Sequence, residues 1–200
     1  IELPEYGKSY LIGRKNISSI TLNLDVNGNI QFRPAVDGYN PIGSYAEFQM
    51  INTVPGALSG KYRQEDDLDL MSEEWTPIGS KTSPFTGKFD GDGHILDKLR
   101  INKPTSDYMA LFGYIEGSSA EIQNVHIGSG SINGRNYTAG ICSYSFGGTI
   151  TACSNAAIVA SNNYSCITAG VIAYNYSGVV IACRNTGSIS GINNGSYGSM

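Results

Sequence analysis

Tyr137-Thr-Ala-Gly-Ile141 and Ile167-Thr-Ala-Gly-Val171 stand 30 residues apart, and the residues after them keep that spacing: Tyr144 with Tyr174, Gly148 with Gly178, Ile150 with Val180, Cys153 with Cys183, Asn155 with Asn185. Tyr137 to Ile189 is therefore an internal repeat. A period of this length, made of short apolar alternations broken by Gly, Asn and Ser, belongs to stacked solenoids rather than to a domain built around a cleft. The pattern predicts a parallel β-helix in which each turn lays three short strands on the turn before it, about 4.8 Å away. Ile150 then stacks on Val180, and Cys153 on Cys183.

The repeat extends backwards with changing loop lengths. Ala110-Leu-Phe-Gly113 aligns with Ala139-Gly-Ile-Cys142, and Ala120 to Val125 aligns with Gly148 to Cys153 at a spacing of 28. Leu96-Asp-Lys-Leu99-Arg-Ile101 is matched to Ile122-Gln-Asn-Val125-His-Ile127 at 26, which makes at least four turns. The coil is expected to be right-handed, as parallel crossovers are in about 98% of cases.

Ahead of the repeat, Ser44-Tyr-Ala-Glu47 has the form of a capping box. It predicts a helix over about 45–54 with Phe48, Ile51 and Val54 on one face, stopped by Pro55-Gly56. A helix there would cover the exposed end of the first turn. Runs at Ser19–Val26 and Asn29–Arg33 flank Asn27-Gly28, a hairpin signal. Residues 1–41 read either as a β hairpin and linker or as the tail of a preceding domain, and 42–200 as the β-helix. Leu68 and Leu70 are read as facing inward from a first regular strand.

Composition narrows the function classes. The chain has 200 residues, of which 25 are Gly and 13 Tyr, with a net charge of -4. The glycines follow no triplet, so collagen is excluded, and there is no basic footprint for nucleic acid. No apolar run is long enough to span a membrane, and no charged-then-apolar leader opens the chain. Ser190 to Met200 reads as the lead-in to a further turn, so a longer natural product is expected. All 17 carboxylates lie at or before Glu121, and beyond it only Arg135 and Arg184 are charged. Glycoside cleavage needs paired carboxylates, which the C-terminal two fifths lack.

The order Leu-Ser-Gly-Lys-Tyr62, Asp67-Leu-Asp-Leu70, Trp75-Thr-Pro-Ile-Gly79, Phe85-Thr-Gly-Lys-Phe-Asp-Gly-Asp-Gly-His94 and Ala110-Leu-Phe-Gly113 resembles the GLUG-motif β-helix proteins found as surface and secreted proteins of gut Bacteroidetes. The likeness covers about Ile42 to Ser190, with GLUG-like turns at about 108–190. Ala139 and Ala169 stand where that family more often has Gly. The resemblance implies an all-β, single-stranded parallel β-helix with adhesin-like or surface-binding roles and no agreed ligand.

Each candidate site has a structural counterpart. Asp90-Gly-Asp92-Gly-His94 is a weak metal candidate through Asp90 and Asp92, and equally a Gly-dependent turn whose carboxylates cap main-chain amides. Glu65, Asp66, Asp67 and Asp69 lack the spacing of an EF-hand. His94 and His126 do not align in the repeat, and no zinc spacing exists. Cys153 and Cys183 are repeat equivalents, yet side chains in register poorly suit a disulfide dihedral. No disulfide is favoured, and Cys142 and Cys166 have no evident partner. Five Asn-x-Ser/Thr sequences, beginning at Asn16, Asn136, Asn163, Asn175 and Asn194, are by-products of composition.

Tyr114, Tyr144 and Tyr174 recur at 30, with Tyr137, Tyr164, Tyr176 and Tyr197 nearby. Tyr114, Tyr144, Tyr174 and Tyr176 form either a ligand-binding strip or an aromatic ladder worth about 0.2–1 kcal/mol per pair. The sequence thus predicts a non-catalytic, secreted or outer-surface adhesin-like module. It is read as a monomer without cofactor, binding a glycan or a host or cell-surface protein and anchored, if at all, outside this chain. The alternative is a polysaccharide lyase or glycoside hydrolase using Asp67, Asp69, Asp90, Asp92 or Asp97 with Lys88, Lys98 or Arg100. A structural spacer is the third reading.

Overall fold

The structure, a computed structural model, describes residues 10–12, 20–24, 30–163 and 166–191. Alternation of apolar and polar residues over three to five positions produces short strands, and these stack in parallel on equivalents from the next turn. One wall is a six-stranded sheet of Asn40–Ile42, Lys61–Gln64, Lys88–Asp90, Glu121–Gln123, Thr149–Thr151 and Val179–Ile181. Its inward ladder runs Tyr62, Phe89, Ile122, Ile150, Val180. The first four of these are buried.

A second wall holds Leu68–Asp69, Ile95–Asp97, His126–Ile127, Ser154–Asn155 and Arg184–Asn185. The third holds Leu99–Asn102, Gly130–Gly134, Ile158–Ser161 and Ile189–Gly191. Thr138–Ala139 pairs with Thr168–Ala169, and a last wall is made by Phe112–Glu116, Cys142–Phe146 and Ile172–Tyr176. A full turn therefore contains five strands, not the expected three. Single-residue corners are the cause. Asn124, Ala152 and Ala182, each at φ 53, occupy the left-handed region between the first and second walls. They bend what reads as one alternating run into two strands, although such a conformation is uncommon outside Gly.

The same corners explain a misaligned repeat. Leu96 pairs with Ile127 and Ile101 with Ile132, not with Ile122 and Ile127 as the 26-residue match required. Inward residues recur every five positions across a corner, at Ile122 and Ile127, so sliding by one wall preserves the apolar pattern while misplacing every strand. Farther on, the spacing of 30 is correct: Ala139 pairs with Ala169, Tyr144 with Tyr174, Ile150 with Val180, and Asn155 with Asn185. Between the two preceding turns the register slips by one, with Met109 against Thr138 but Phe112 against Cys142.

Gly140 lies within the segment where the slip occurs, at a point of close packing. A Cβ there would lie 2.3 Å from the Gly170 carbonyl oxygen and 2.4 Å from Asn155 Cγ. Asn155 is buried, and it stands on the second wall where Leu96 and Ile127 stand in earlier turns. Its Oδ1 accepts from Ala157 N at 3.2 Å, while Nδ2 donates to Ala157 O at 3.0 Å and to Asn185 Oδ1 at 2.8 Å. Asn185 repeats the motif, donating to Gly187 O at 2.7 Å. This asparagine ladder satisfies the main chain of the turn between walls, as buried polar groups require.

At the N-terminal end, α1 (Tyr45–Thr53) begins at Ser44, whose hydroxyl accepts from Glu47 N. Glu47 answers to Gly43 N at 2.9 Å and to the Ser44 hydroxyl at 3.2 Å, so the returning carboxylate reaches one residue farther back than a standard capping box. Phe48 and Ile51 are fully buried, with Val54 packed against the core. The Phe48 ring stacks on Phe89 at 4.7 Å and meets Trp75 edge-on at 4.9 Å. Leu68 and Leu70 face inward as expected, but they follow a separate strand, Lys61–Gln64.

Ile20–Leu24 pairs antiparallel with Ile30–Gln31, which is the expected hairpin, and Tyr10–Ile12 adds a third strand. The Asn27-Gly28 turn, Tyr164 and Tyr197 lie outside the described residues.

Candidate functional site

Two columns of tyrosine stand side by side on the solvent side of the last wall. In-register pairing places Tyr114, Tyr144 and Tyr174 on consecutive strands. Their rings stack at 4.7 Å, with interplanar angles of 9° and 20°. Tyr108 and Tyr137, the left-handed corner residues preceding Met109 and Thr138, form the second column at 5.3 Å and 4°. The columns meet edge to face: Tyr108 on Tyr114 and Tyr144, Tyr137 on Tyr144 and Tyr174, all at 5.7–5.9 Å. Five rings thus make a herringbone, an arrangement that aromatic quadrupoles favour.

The packing decides what the surface can offer. Tyr144 is covered on both faces by Tyr114 and Tyr174, so it presents an edge and a hydroxyl to solvent. The phenols lie close together. Burial, then neighbouring Tyr144, Glu116 and Tyr108, raise the Tyr114 hydroxyl above its ordinary pKa of 10.0. Burial, then Tyr174, Tyr137 and Tyr108, do the same for Tyr144. At neutral pH these are uncharged donor–acceptors in a row one strand spacing apart.

Polar groups flank the herringbone. Arg135 forks onto Asp107 with two bonds of 2.7 Å, and Asp107 also accepts from Asn136 N. Asn163 donates to Asn136 Oδ1 at 2.6 Å. Tyr176 stacks on Phe146 at 4.9 Å as a separate pair, and both are exposed. Of the tyrosines singled out from sequence, the structure gathers Tyr114, Tyr144 and Tyr174 into one group and sets Tyr176 apart. The alignment of Tyr108-Met-Ala110 with Tyr137-Thr-Ala139 at 29 carried the missing column, Tyr108 included.

Of the candidate carboxylates, Asp67, Asp69, Asp90 and Asp97 are engaged by neighbours among the described residues and Asp92 is not. Asp90 Oδ1 accepts from Asp92 N and Asn124 Nδ2, Oδ2 from Gln123 Nε2, with Arg63 at 3.8 Å. Asp92 itself is exposed at a left-handed position, φ 52. Asp67 accepts from Ile95 N, Asp97 from the Ser129 hydroxyl, and Asp69 pairs with Lys98. Lys88 pairs with Glu121, and Arg100 with Glu74. Glu65 is held by Arg33 at 2.8 Å. Among the described residues no three His, Cys, Asp or Glu side chains cluster to hold a metal.

These pairings fix a pH dependence. The Lys98 hydrogen bond holds Asp69 below 3.8, and the Arg135 fork does so for Asp107. Burial pushes Asp90 upward, but the bonds from Asn124, Asp92 and Gln123 outweigh it and leave it lowered from 3.8. A depressed native pKa contributes stability that is present in full above the unfolded value and lost as pH falls through the native one. Resistance to urea is therefore expected to fall below about pH 4, and Asp90→Asn is expected to be less stable at neutral pH with a shallower acid decline.

No protein-family model matches the chain. Over 134 residues it is 29% identical to Halomucin from Haloquadratum walsbyi, an alignment covering 61% of this chain. The chain spans about 1% of that relative's length. Among solved structures it is similar to a "putative immunoglobulin A1 protease" from Bacteroides ovatus, with a TM-score of 0.54 and 14% identity over 74% of this chain and 57% of the other. That likeness is one of fold. The structure is a parallel β-solenoid, and no helix among the described residues is long and apolar enough to cross a membrane.

Proposed function

We propose that this chain is a non-catalytic module of a secreted or cell-surface protein, and that its tyrosine herringbone binds a glycan. The observation that carries the reading is the five-ring herringbone of Tyr108, Tyr114, Tyr137, Tyr144 and Tyr174, whose phenols are set on a rigid stack and flanked by the Asp107–Arg135 fork and the Asn136–Asn163 pair. Polyhydroxylated ligands are recognised by fixed donors and acceptors of this kind, and ordering costs are small because the rings hold one another in place. The relationship to Halomucin supports an extracellular setting. The resemblance to GLUG-motif proteins of Bacteroidetes is consistent with the same role.

A lyase or hydrolase reading needs carboxylates free to move protons. Asp69 and Asp90 are instead engaged by Lys98 and by Asn124 and Gln123. A glycan array probed with the chain and with its Tyr144→Ala/Tyr174→Ala variant tests the proposal, with circular dichroism as the check on folding. Binding by the parent and its loss from the folded variant are expected. Equal binding by both would move the site elsewhere, and no binding by the parent would favour a spacer.

A further inference from the structure

All four cysteines are free, and two of them meet. Cys153 and Cys183 follow the left-handed corners Ala152 and Ala182, and the pairings on either side, Thr151 with Ile181 and Ser154 with Arg184, place them in register. Arg184 N donates to Cys153 O at 2.9 Å, which fixes the two backbones one strand spacing apart. That spacing of about 4.8 Å falls within the Cα separation of disulfides, roughly 4.4–6.8 Å. Each thiol donates to the carbonyl two residues back, Cys153 to Thr151 O at 3.2 Å and Cys183 to Ile181 O at 3.3 Å, so closing a bridge requires a side chain to leave that bond and rotate toward its neighbour.

The two thiols are chemically unequal. Cys153 is 1% exposed, whereas Cys183 is only partly buried, so a reagent reaches Cys183 first. The neighbouring Cys153 lowers the Cys183 thiol below its ordinary value against the upward push of partial burial, and Cys183 together with burial pushes Cys153 up. A thiolate at the accessible position and a proton reserve at the buried one is the arrangement of an attacking and a resolving thiol.

We infer that Cys153 and Cys183 form a redox-reversible staple between consecutive turns, closed by small disulfides such as oxidised glutathione. The Cys183 thiolate attacks one sulfur of the oxidant, forming a mixed disulfide and expelling one thiolate. Cys153 then gives up its proton and attacks the Cys183 sulfur, expelling the second. One oxidant molecule is reduced to two thiols, and the protein loses two hydrogens. The closed loop runs from one turn to the next, so it constrains the unfolded chain. Cys142 is buried on the last wall, where burial raises its thiol, and it is left out.

The test is incubation of the folded chain with oxidised glutathione, followed by alkylation, intact mass and peptide mapping. Loss of two hydrogens, a Cys153–Cys183 linked peptide, and a higher unfolding temperature that dithiothreitol reverses are expected. Cys153→Ser should instead accumulate glutathione on Cys183, because the resolving thiol is gone. A parent chain in which both thiols stay alkylatable, or whose bridge involves Cys142 or Cys166, overturns the inference. So does a folded Cys153→Ser chain that takes up no glutathione at Cys183.

Discussion

Truncating Trp75 to alanine is expected to lower the free energy of unfolding by about 3–5 kcal/mol, the usual range for a buried aromatic. Trp75 is fully buried, edge-on to both Phe48 and Tyr45. Its indole Nε1 donates to Leu111 O at 3.0 Å. The substitution therefore removes the seat of α1, opens a void beside Phe48 and Tyr45, and takes one of two donors from the Leu111 carbonyl, which keeps the bond from Ile78 N. Close-packed surroundings relax only partly into such a void. Urea titration by circular dichroism measures the change. A loss under 1 kcal/mol would mean that the helix does not close the stack as described.

Asn155→Ala is expected to cost about 3 kcal/mol or more, although it exchanges a buried amide for a methyl group. Ala157 N, Ala157 O and Asn185 Oδ1 each lose a partner. A buried polar group left unpaired costs about 1–3 kcal/mol. Serine would restore part of the loss by accepting from Ala157 N. The same titration reads both variants, and a neutral Asn155→Ala would show that the ladder is dispensable. Gly140 and Gly170 belong to this device, since a Cβ on either would strike Asn155 or Asn185.

These two positions mark the boundary of what the sequence discloses. The ladders through Ile122, Ile150 and Val180 were legible because inward residues must alternate and recur. Helix α1 was legible because Ser44 and Glu47 serve main-chain groups that any helix start leaves open. The corners were not. Alanine at 152 and 182 carries no local signal for a left-handed backbone, so the number of strands per turn was misjudged and one repeat was aligned a wall out of place.

The site was legible in half. Spacing identifies residues that share a ladder, such as Tyr114 with Tyr144. It does not say which column stands beside which, because that depends on where corners fold the chain. Tyr108 and Tyr137 are brought against Tyr144 by the left-handed turns at their own positions. Nor does spacing show that the stack covers both faces of Tyr144, which leaves its edge and hydroxyl for a ligand.

That last point is the centre of the functional account, and tyrosine-to-phenylalanine exchange tests it. Tyr114→Phe/Tyr144→Phe/Tyr174→Phe keeps the stacked rings and deletes three hydroxyls. Calorimetric titration with a glycan that the parent chain binds should show affinity weakened at least about tenfold, from hydrogen bonds worth about 0.5–1.5 kcal/mol each. The unfolding midpoint should stay unchanged. Unaltered affinity in the folded triple variant would contradict recognition by the hydroxyl row.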